Sequence, residues 1–243
     1  MARFFIPYLS GVDHLTLDSK DELRHLACVL RLKEGDELEL VNGRGDKARA
    51  VIVRLTPAFA QLRILAFEHF ELACSPQLLL GCAIPKKSKF EDIIDKAVQL
   101  GVDEFFPLIT ERTEVRPRPQ VLERYRKVAV AAVKQSGRLW APVIHPPQLF
   151  PQFIASIGAK TGLSIFIPCL GGERTLLRKV LSDPSRSQAG SFLFLIGPEG
   201  DFSDREVQLA SAAGALPVSL GDNVLRVDTA AIAVSAFARL LYA

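Results

Sequence analysis

Glu199 stands between Pro198 and Gly200 in the stretch FLIGPEGDFSDREV, residues 194–207, where an apolar run gives way to a polar, helix-like segment. A tight turn uses the glycines; it has no need of a carboxylate. Two further turns share this character: PCLGGERT at 168–175, after LSIFI, and LGDNVLRVDT at 220–229, after LPVS. Glycine lets backbone come close to a ligand, and in open α/β sheets ligands bind outside the carboxyl ends of the strands. None of the three spells G-x-G-x-x-G or a P-loop, so a nucleotide-phosphate cradle is not indicated. One such loop is explained as a turn and nothing more; three at successive strand ends, each with charged residues, weigh against that plain reading. Metal chemistry finds no support: His14, His25, His69 and His145 are far apart, and Cys28, Cys74, Cys82 and Cys169 contain no Cys-x-x-Cys pair.

The elements that hold these turns follow from periodicity. From about residue 78 onward, apolar runs alternate with amphipathic segments. The strands are LLLGCAI, EFFPLI, LSIFIP, SFLFLI and LPVSL. The helices between and after them are SKFEDIIDKAVQLG, ERYRKVAVAAVKQSG, ERTLLRKVL, SDREVQLASAAG and DTAAIAVSAFARLLYA. Continuous apolar strands separated by helices predict a mostly parallel sheet covered on both faces. Ser88 with Glu91, and Ser203 with Glu206, have capping-box spacing. The first 72 residues read differently. DELEL and KARAVIVRL flank VNGRG, and Asn-Gly between alternating segments predicts a hairpin. AQLRILAFEHFE adds a strand, and a short helix over Ser19–Leu30, with Ser19 as N-cap and Glu22 three residues on, precedes them. The expectation is a small β-barrel domain at 1–72, a linker around ACSPQ, and an α/β domain at 73–243.

Composition bounds the partners. The 243 residues are 49% hydrophobic, enough for a sizeable core, and the net charge is +3. That excess is local: residues 86–140 carry 12 Lys+Arg against 8 Asp+Glu, while the flanking segments are near balance. A basic surface there fits an anionic partner such as RNA, or a solvated charged face. The Cys28, Cys82 and Cys169 thiols lie in apolar runs and read as buried and reduced. No apolar run reaches the ~20 residues of a membrane helix, and MARFFIPYLSGVD is too short an apolar start for a signal peptide. The expectation is a cytoplasmic protein with no membrane partner. The last helix is apolar nearly all round and rich in alanine, which serves either tight core packing or a subunit interface.

FLIGPEGDFSDREV and SLGDNVLRVDTAAIA resemble the signature loop and the last knot loop of the 16S ribosomal RNA uridine N3-methyltransferase family, a branch of the trefoil-knotted SPOUT methyltransferases. KAVQLGVDEFFPLITERTEV and AAVKQSGRLWAPVI are similar to its earlier motifs, and RHLACVLRLKEGDELELVNGRG to its N-terminal PUA-like barrel. The resemblance covers nearly the whole chain. This sequence departs from it at two places, with Asp201 where the family usually has Gly and Asp228 where it usually has Glu.

The resemblance implies a PUA-like β-barrel followed by a SPOUT α/β domain with a C-terminal trefoil knot, acting as a homodimer. It implies S-adenosylmethionine held by the knot loops, against Leu170 and Gly171, Ile196, Gly197, Pro198, Glu199 and Gly200, and Leu220, Gly221 and Leu225. It implies 16S rRNA of the 30S subunit as substrate. Methylating uracil N3 requires loss of its proton, so Glu199 and Asp228 are candidate bases and Arg226 a candidate cation for the uracil oxygens or a phosphate. Each carboxylate has a plainer reading, Glu199 as a helix N-terminal charge and Asp228 as the N-cap of the last helix. Gln135, Ser136 and Arg138 match the family's element near the target base; Ser136 also reads as a helix-end residue. Arg112, Arg116, Arg118, Arg124, Arg126, Lys127 and Lys134, with Arg24 and Arg31 of the barrel, are the candidate rRNA contacts. A related knotted enzyme acting on another base, and an inactive RNA-binding assembly factor, remain the alternatives.

Overall fold

The computed structural model describes residues 1–9, 11–72, 76–86, 89–115, 117–118, 120–158, 161–183 and 190–242, with Lys89 described by its backbone alone. The chain divides into two compact units. One comprises Met1–Ala73 with Val130–Ala141, the other Cys74–Ala129 with Pro142–Ala243.

The first unit is a curled, PUA-like five-stranded sheet. Its strands are β1 (Arg3–Phe5), β2 (His14–Leu17), β3 (Glu37–Val41), β4 (Asp46–Leu55) and β5 (Ala60–His69), in the order β1-β3-β4-β5-β2. β1 runs parallel to β3 and the remaining neighbours are antiparallel. The β3–β4 hairpin turns on Asn42–Gly45, where Gly43 and Gly45 take φ of 70° and 90°. Asn42 Oδ1 accepts the N–H groups of Arg44 and Asp46, which is why an Asn-Gly turn forms here. Register shifts near Arg49 and Ile52 bend β4 around a core built on Phe4, Leu26, Leu38, Leu40 and Leu62. The helix expected over Ser19–Leu30 is α1 (Lys20–Arg24) followed by a π-helical turn, His25–Val29. Ser19 makes no side-chain capping bond. Glu22 is instead drawn to Lys134, whose Nζ lies 2.6 Å from its Oε1. Cys28, expected buried, is exposed, because the π-turn leaves only Leu26 of His25–Val29 in the core. Cys74 and Ser88 lie outside the described residues.

The second unit is an eight-stranded sheet in the order β11-β13-β10-β12-β6-β7-β8, with β9 also on β7. The strands are β6 (Gln77–Ala83), β7 (Glu104–Ile109), β8 (Val143–Ile144), β9 (Gln148–Leu149), β10 (Leu163–Pro168), β11 (Thr175–Leu176), β12 (Ser191–Ile196) and β13 (Leu216–Ser219). Every pairing among them is parallel. The helices are α2 (Lys89–Gln99), α3 (Val121–Ser136), whose C-terminal half groups with the first unit, α4 (Phe150–Ile157), α5 (Leu177–Leu181), α6 (Asp204–Ala212) and α7 (Val227–Tyr242). The apolar stripe of α2, Phe90, Ile93, Ile94, Ala97 and Val98, is buried. Gly101 ends that segment at φ 84°, and Arg239 of α7 crosses over it to bond the Gly101 carbonyl. Helix α4 was not legible in the sequence. The stretch expected as one helix, ERTLLRKVL, is a two-residue strand followed by the short α5.

Candidate functional site

Strand order brings the three glycine turns together. β13, β10 and β12 are adjacent in that order, so the loops leaving their carboxyl ends share one rim. They enclose a cleft of about 210 Å³. Of the residues expected around a cofactor, Leu170, Ile196, Gly197, Pro198, Glu199, Leu220, Gly221 and Leu225 line it. Gly171 and Gly200 do not line it. A side chain at Gly171 would meet open space, and one at Gly200 would meet Arg112 Cδ at 3.3 Å. Arg112, expected on rRNA, donates from its guanidinium to the Gly200 carbonyl and, at 3.4 Å, to that of Phe202. It therefore braces the Glu199 turn. Gly197 is required by packing: a Cβ there would lie 3.0–3.2 Å from Phe202 atoms. Gly221 is required by its backbone, at φ 127°.

Sequence reasoning missed several wall residues, among them Cys169, Arg174, Asp201, Asp222, Val227 and Ala230. Asp201 is the most informative. It holds φ at 63°, a left-handed conformation that glycine enters freely and aspartate tolerates. Its Oδ2 accepts the Leu170 N–H at 2.8 Å and its Oδ1 the Phe202 N–H at 2.8 Å. The carboxylate thus ties the β10 loop to the β12 loop across the cleft. Arg174 closes the β10 loop upon itself by donating to the carbonyls of Cys169, at 2.7 Å, and Leu170. Burial raises the Cys169 thiol, and the Asp201 carboxylate adds to the rise against the opposing Arg174; it stays a neutral thiol on the wall. Burial also pushes the Cys82 thiol far up, with Glu199 contributing.

Of the candidate catalytic groups, Glu199 is on the wall and exposed, with Oε1 accepting the Lys86 N–H at 3.0 Å. Arg226 and Asp228 flank Val227, which lines the cleft, but are not themselves part of the wall. Arg226 is exposed, and its carbonyl accepts the Ala230 N–H, opening α7. α7 begins at Val227, so Asp228 lies inside the first turn rather than at its N-cap; its Oδ1 accepts the Thr229 N–H at 3.0 Å.

The expected RNA residues scatter. Gln135, Ser136 and Arg138 belong to the segment grouped with the first unit, and Ser136 Oγ bonds the Val133 carbonyl at the helix end. Lys134 is spent on Glu22. Arg124 pairs with Glu91 at 2.6 Å and Arg126 with Glu123 at 3.0 Å. Lys127, Arg118, Arg24 and Arg31 are exposed. Arg116 lies outside the described residues. No group of three or more metal-ligating side chains occurs among the described residues.

Residues 73–239 match the family described as RNA methyltransferase domain, and residues 17–65 the RNA methyltransferase PUA domain. The fold and these matches therefore define a two-part RNA methyltransferase, a PUA-like domain and an α/β methyltransferase domain. A Synechocystis protein called ribosomal RNA small subunit methyltransferase E is 35% identical over 209 residues, covering 86% of this chain and 67% of that protein. The crystal structure of a protein of the same name from Neisseria gonorrhoeae, bound to S-adenosyl methionine, superposes with a TM-score of 0.89. It is 27% identical and covers 100% of this chain and 98% of that one. A Legionella pneumophila methyltransferase solved with SAM gives a TM-score of 0.85 at 30% identity, over 98% of this chain and 96% of that one. The chain belongs to the ribosomal RNA small subunit methyltransferase E family.

Proposed function

We propose that this chain transfers a methyl group from S-adenosylmethionine to N3 of a uridine in 16S rRNA of the 30S subunit, acting as a cytoplasmic homodimer. The observation that carries the reading is the cleft at three adjacent parallel-strand ends. Its wall combines close backbone at Gly197 and Gly221, apolar surface from Ile196, Pro198, Leu220 and Leu225, and three carboxylates, Glu199, Asp201 and Asp222, against one cation, Arg174. A wall that mixes apolar surface with convergent polar groups suits a small-molecule cofactor, and the excess of carboxylates suits one with net positive charge.

S-adenosylmethionine supplies an electrophilic methyl group on a positively charged sulfur. The protein's part is positioning and charge management. Uracil N3 must lose its proton before or during attack, and Glu199, on the wall and held by the Lys86 N–H, is placed to receive it. Exposed Arg226, beside wall residue Val227, is placed to meet the uracil oxygens as negative charge spreads onto them. Asp228, held in the first turn of α7, orients that helix start. A base in folded RNA has to leave its stack to reach such a cleft. Support for a second copy comes from the end of α7, where Leu240 and Leu241 are 83% and 43% exposed.

The test is methyl transfer from labelled S-adenosylmethionine to 30S subunits, free 16S rRNA and tRNA, with the product mapped by mass spectrometry. N3-methyluridine in 16S rRNA is expected. Another methylated base assigns a different target; cofactor binding without transfer to any RNA assigns an inactive assembly factor.

A further inference from the structure

Asp201 is the residue of the cleft that does two things at once. Its backbone sits in the left-handed region at φ 63°, where an L side chain is strained. Something must hold it there. The carboxylate does so: Oδ1 takes the N–H of its own neighbour Phe202, and Oδ2 takes the Leu170 N–H from the next loop, both at 2.8 Å. Phe202 is anchored in turn, 3% exposed and packed on Phe150 with ring centroids 5.0 Å apart. The Asp201 N–H closes the turn on the Pro198 carbonyl at 3.0 Å. The charge is therefore fixed in place at the cleft wall, half-buried, rather than waving in solvent.

We propose that Asp201 is a specificity-determining and positioning residue of the cofactor cleft: it clasps the β10 and β12 loops into one wall and fixes a negative charge on it, so that the cleft prefers the cationic methyl donor to the uncharged thioether product. This rests on the reading of the cleft as the S-adenosylmethionine site. When the methyl group leaves, the sulfur keeps the bonding electron pair and loses its positive charge, and the uracil proton is released separately. S-adenosylmethionine carries one more positive charge than S-adenosylhomocysteine and is otherwise larger by a single methyl group. A wall with three carboxylates and one guanidinium separates the two by charge, favouring entry of the donor and exit of the product. Asp201 is the carboxylate whose position is fixed by two backbone donors; Glu199 and Asp222 are exposed at the rim.

The experiment measures dissociation constants of both compounds, by calorimetry without RNA, for the full chain and for Asp201→Asn and Asp201→Gly. Asp201→Asn keeps the size and one acceptor and removes the charge. It should weaken the donor by about threefold, the scale of a partly exposed charge pair, and leave the product within twofold. Asp201→Gly suits the backbone and removes both clasp and charge. It should weaken both compounds, the donor more. The donor-to-product preference of the unmodified chain should also shrink with added salt, and in Asp201→Gly it should respond less. Equal changes for both compounds in Asp201→Asn, or no change in either variant, overturn the proposal while leaving the cofactor reading intact. No binding of either compound to the unmodified, folded chain overturns both. Thermal unfolding of each variant separates loss of fold from loss of preference.

Discussion

Glu206 accepts the backbone N–H of Glu111 at 2.9 Å, across 95 positions of sequence. Its second oxygen takes the Ser203 N–H at 3.0 Å, completing a capping box whose other half is the Ser203 hydroxyl on the Glu206 N–H. The side chain is 1% exposed. One carboxylate thus starts α6 and fastens it to the turn after β7, whose Arg112 bonds the Gly200 carbonyl.

Removing that carboxylate strands two backbone donors. Glu206→Ala should lower the unfolding free energy by about 2 kcal/mol, the cap together with a partly buried donor left unsatisfied. Glu206→Gln, which retains one acceptor oxygen, should lose about half as much. Urea denaturation of both variants checks this, and equal stability of Glu206→Ala with the parent would contradict the accounting.

The two glycines of the Glu199 turn should behave differently. An added methyl at Gly197 meets Phe202 atoms at 3.0–3.2 Å, so Gly197→Ala should cost about 1–3 kcal/mol as overpacking. At Gly200 the neighbour is Arg112 Cδ at 3.3 Å, a flexible side chain, so Gly200→Ala should cost less than about 1 kcal/mol and loosen the Arg112 brace. Cofactor affinity, read by calorimetry, should fall more for Gly197→Ala. The reverse ranking would mean the cofactor meets Gly200 directly.

Arg226 and Arg118 separate chemistry from RNA affinity. Arg226 flanks the wall; Arg118 is exposed and has no ion pair among the described residues. Arg226→Ala should lower turnover at saturating RNA by about 100-fold, the scale of losing one charge-stabilising donor, with RNA affinity little changed. Arg118→Ala should leave that turnover alone and flatten the salt dependence of RNA binding by about 0.7 to 0.9 in log–log slope. Arg124→Ala should flatten it by less, since Glu91 already neutralises that guanidinium. Equal turnover losses in all three would dissolve the distinction.

The contrast between what was and was not legible is physical. LSIFIP, SFLFLI and EFFPLI are apolar but for one residue each, and they became β10, β12 and β7 with matching bounds. The Asn-Gly hairpin and the Ser203–Glu206 box are local chemistry, set by residues three or four apart. The three glycine turns were visible one at a time. That they meet was implied only by the family resemblance, because adjacency of β13, β10 and β12 is a property of the sheet rather than of any window of sequence. Asp201 escaped notice as a wall residue for the same reason: its partner Leu170 is 31 positions away. Ser19 and Glu22 had the right spacing for a cap and did not form one, since the distant Lys134 offered Glu22 a stronger partner. Helix α4, FPQFIASI, is short and starts at a proline-bearing turn, too little periodicity to register.

In the first unit, His69 reports on pH. Its Nδ1 lies 2.6 Å from Asp46 Oδ1, and Asp46 also accepts from Asn42 at the hairpin turn. The hydrogen bond to Asp46 holds the imidazole above its usual value; desolvation opposes, and the Asp46 and Glu71 charges add to the rise. A raised native pKa means the protonated pair stabilises fully below the unfolded value, about 6.5, and the contribution is lost as pH rises through the native value. The stability margin of the parent over His69→Gln should therefore be largest below about pH 6.5 and shrink above it. Thermal melts from acid to alkaline pH check the sign; a margin that grows with pH would rule out the charged pair.

The parallel sheet also dictates a schedule. β6 pairs with β12 over six positions, Gln77 against Ser191 through Cys82 against Ile196, and no hairpin can make that contact early. On a ribosome adding about 5–20 residues each second, β6 waits roughly 6–20 s for its partner. Through that interval Leu78, Leu79 and Leu80, all buried in the finished fold, lack the strand that will cover one side of them. Glu22 likewise waits for Lys134. The nascent chain thus carries an apolar strand open on one side, and an unneutralised carboxylate, each for nearly half of its synthesis, so its yield in a cell should depend on holdase chaperones more than the finished protein's stability would suggest.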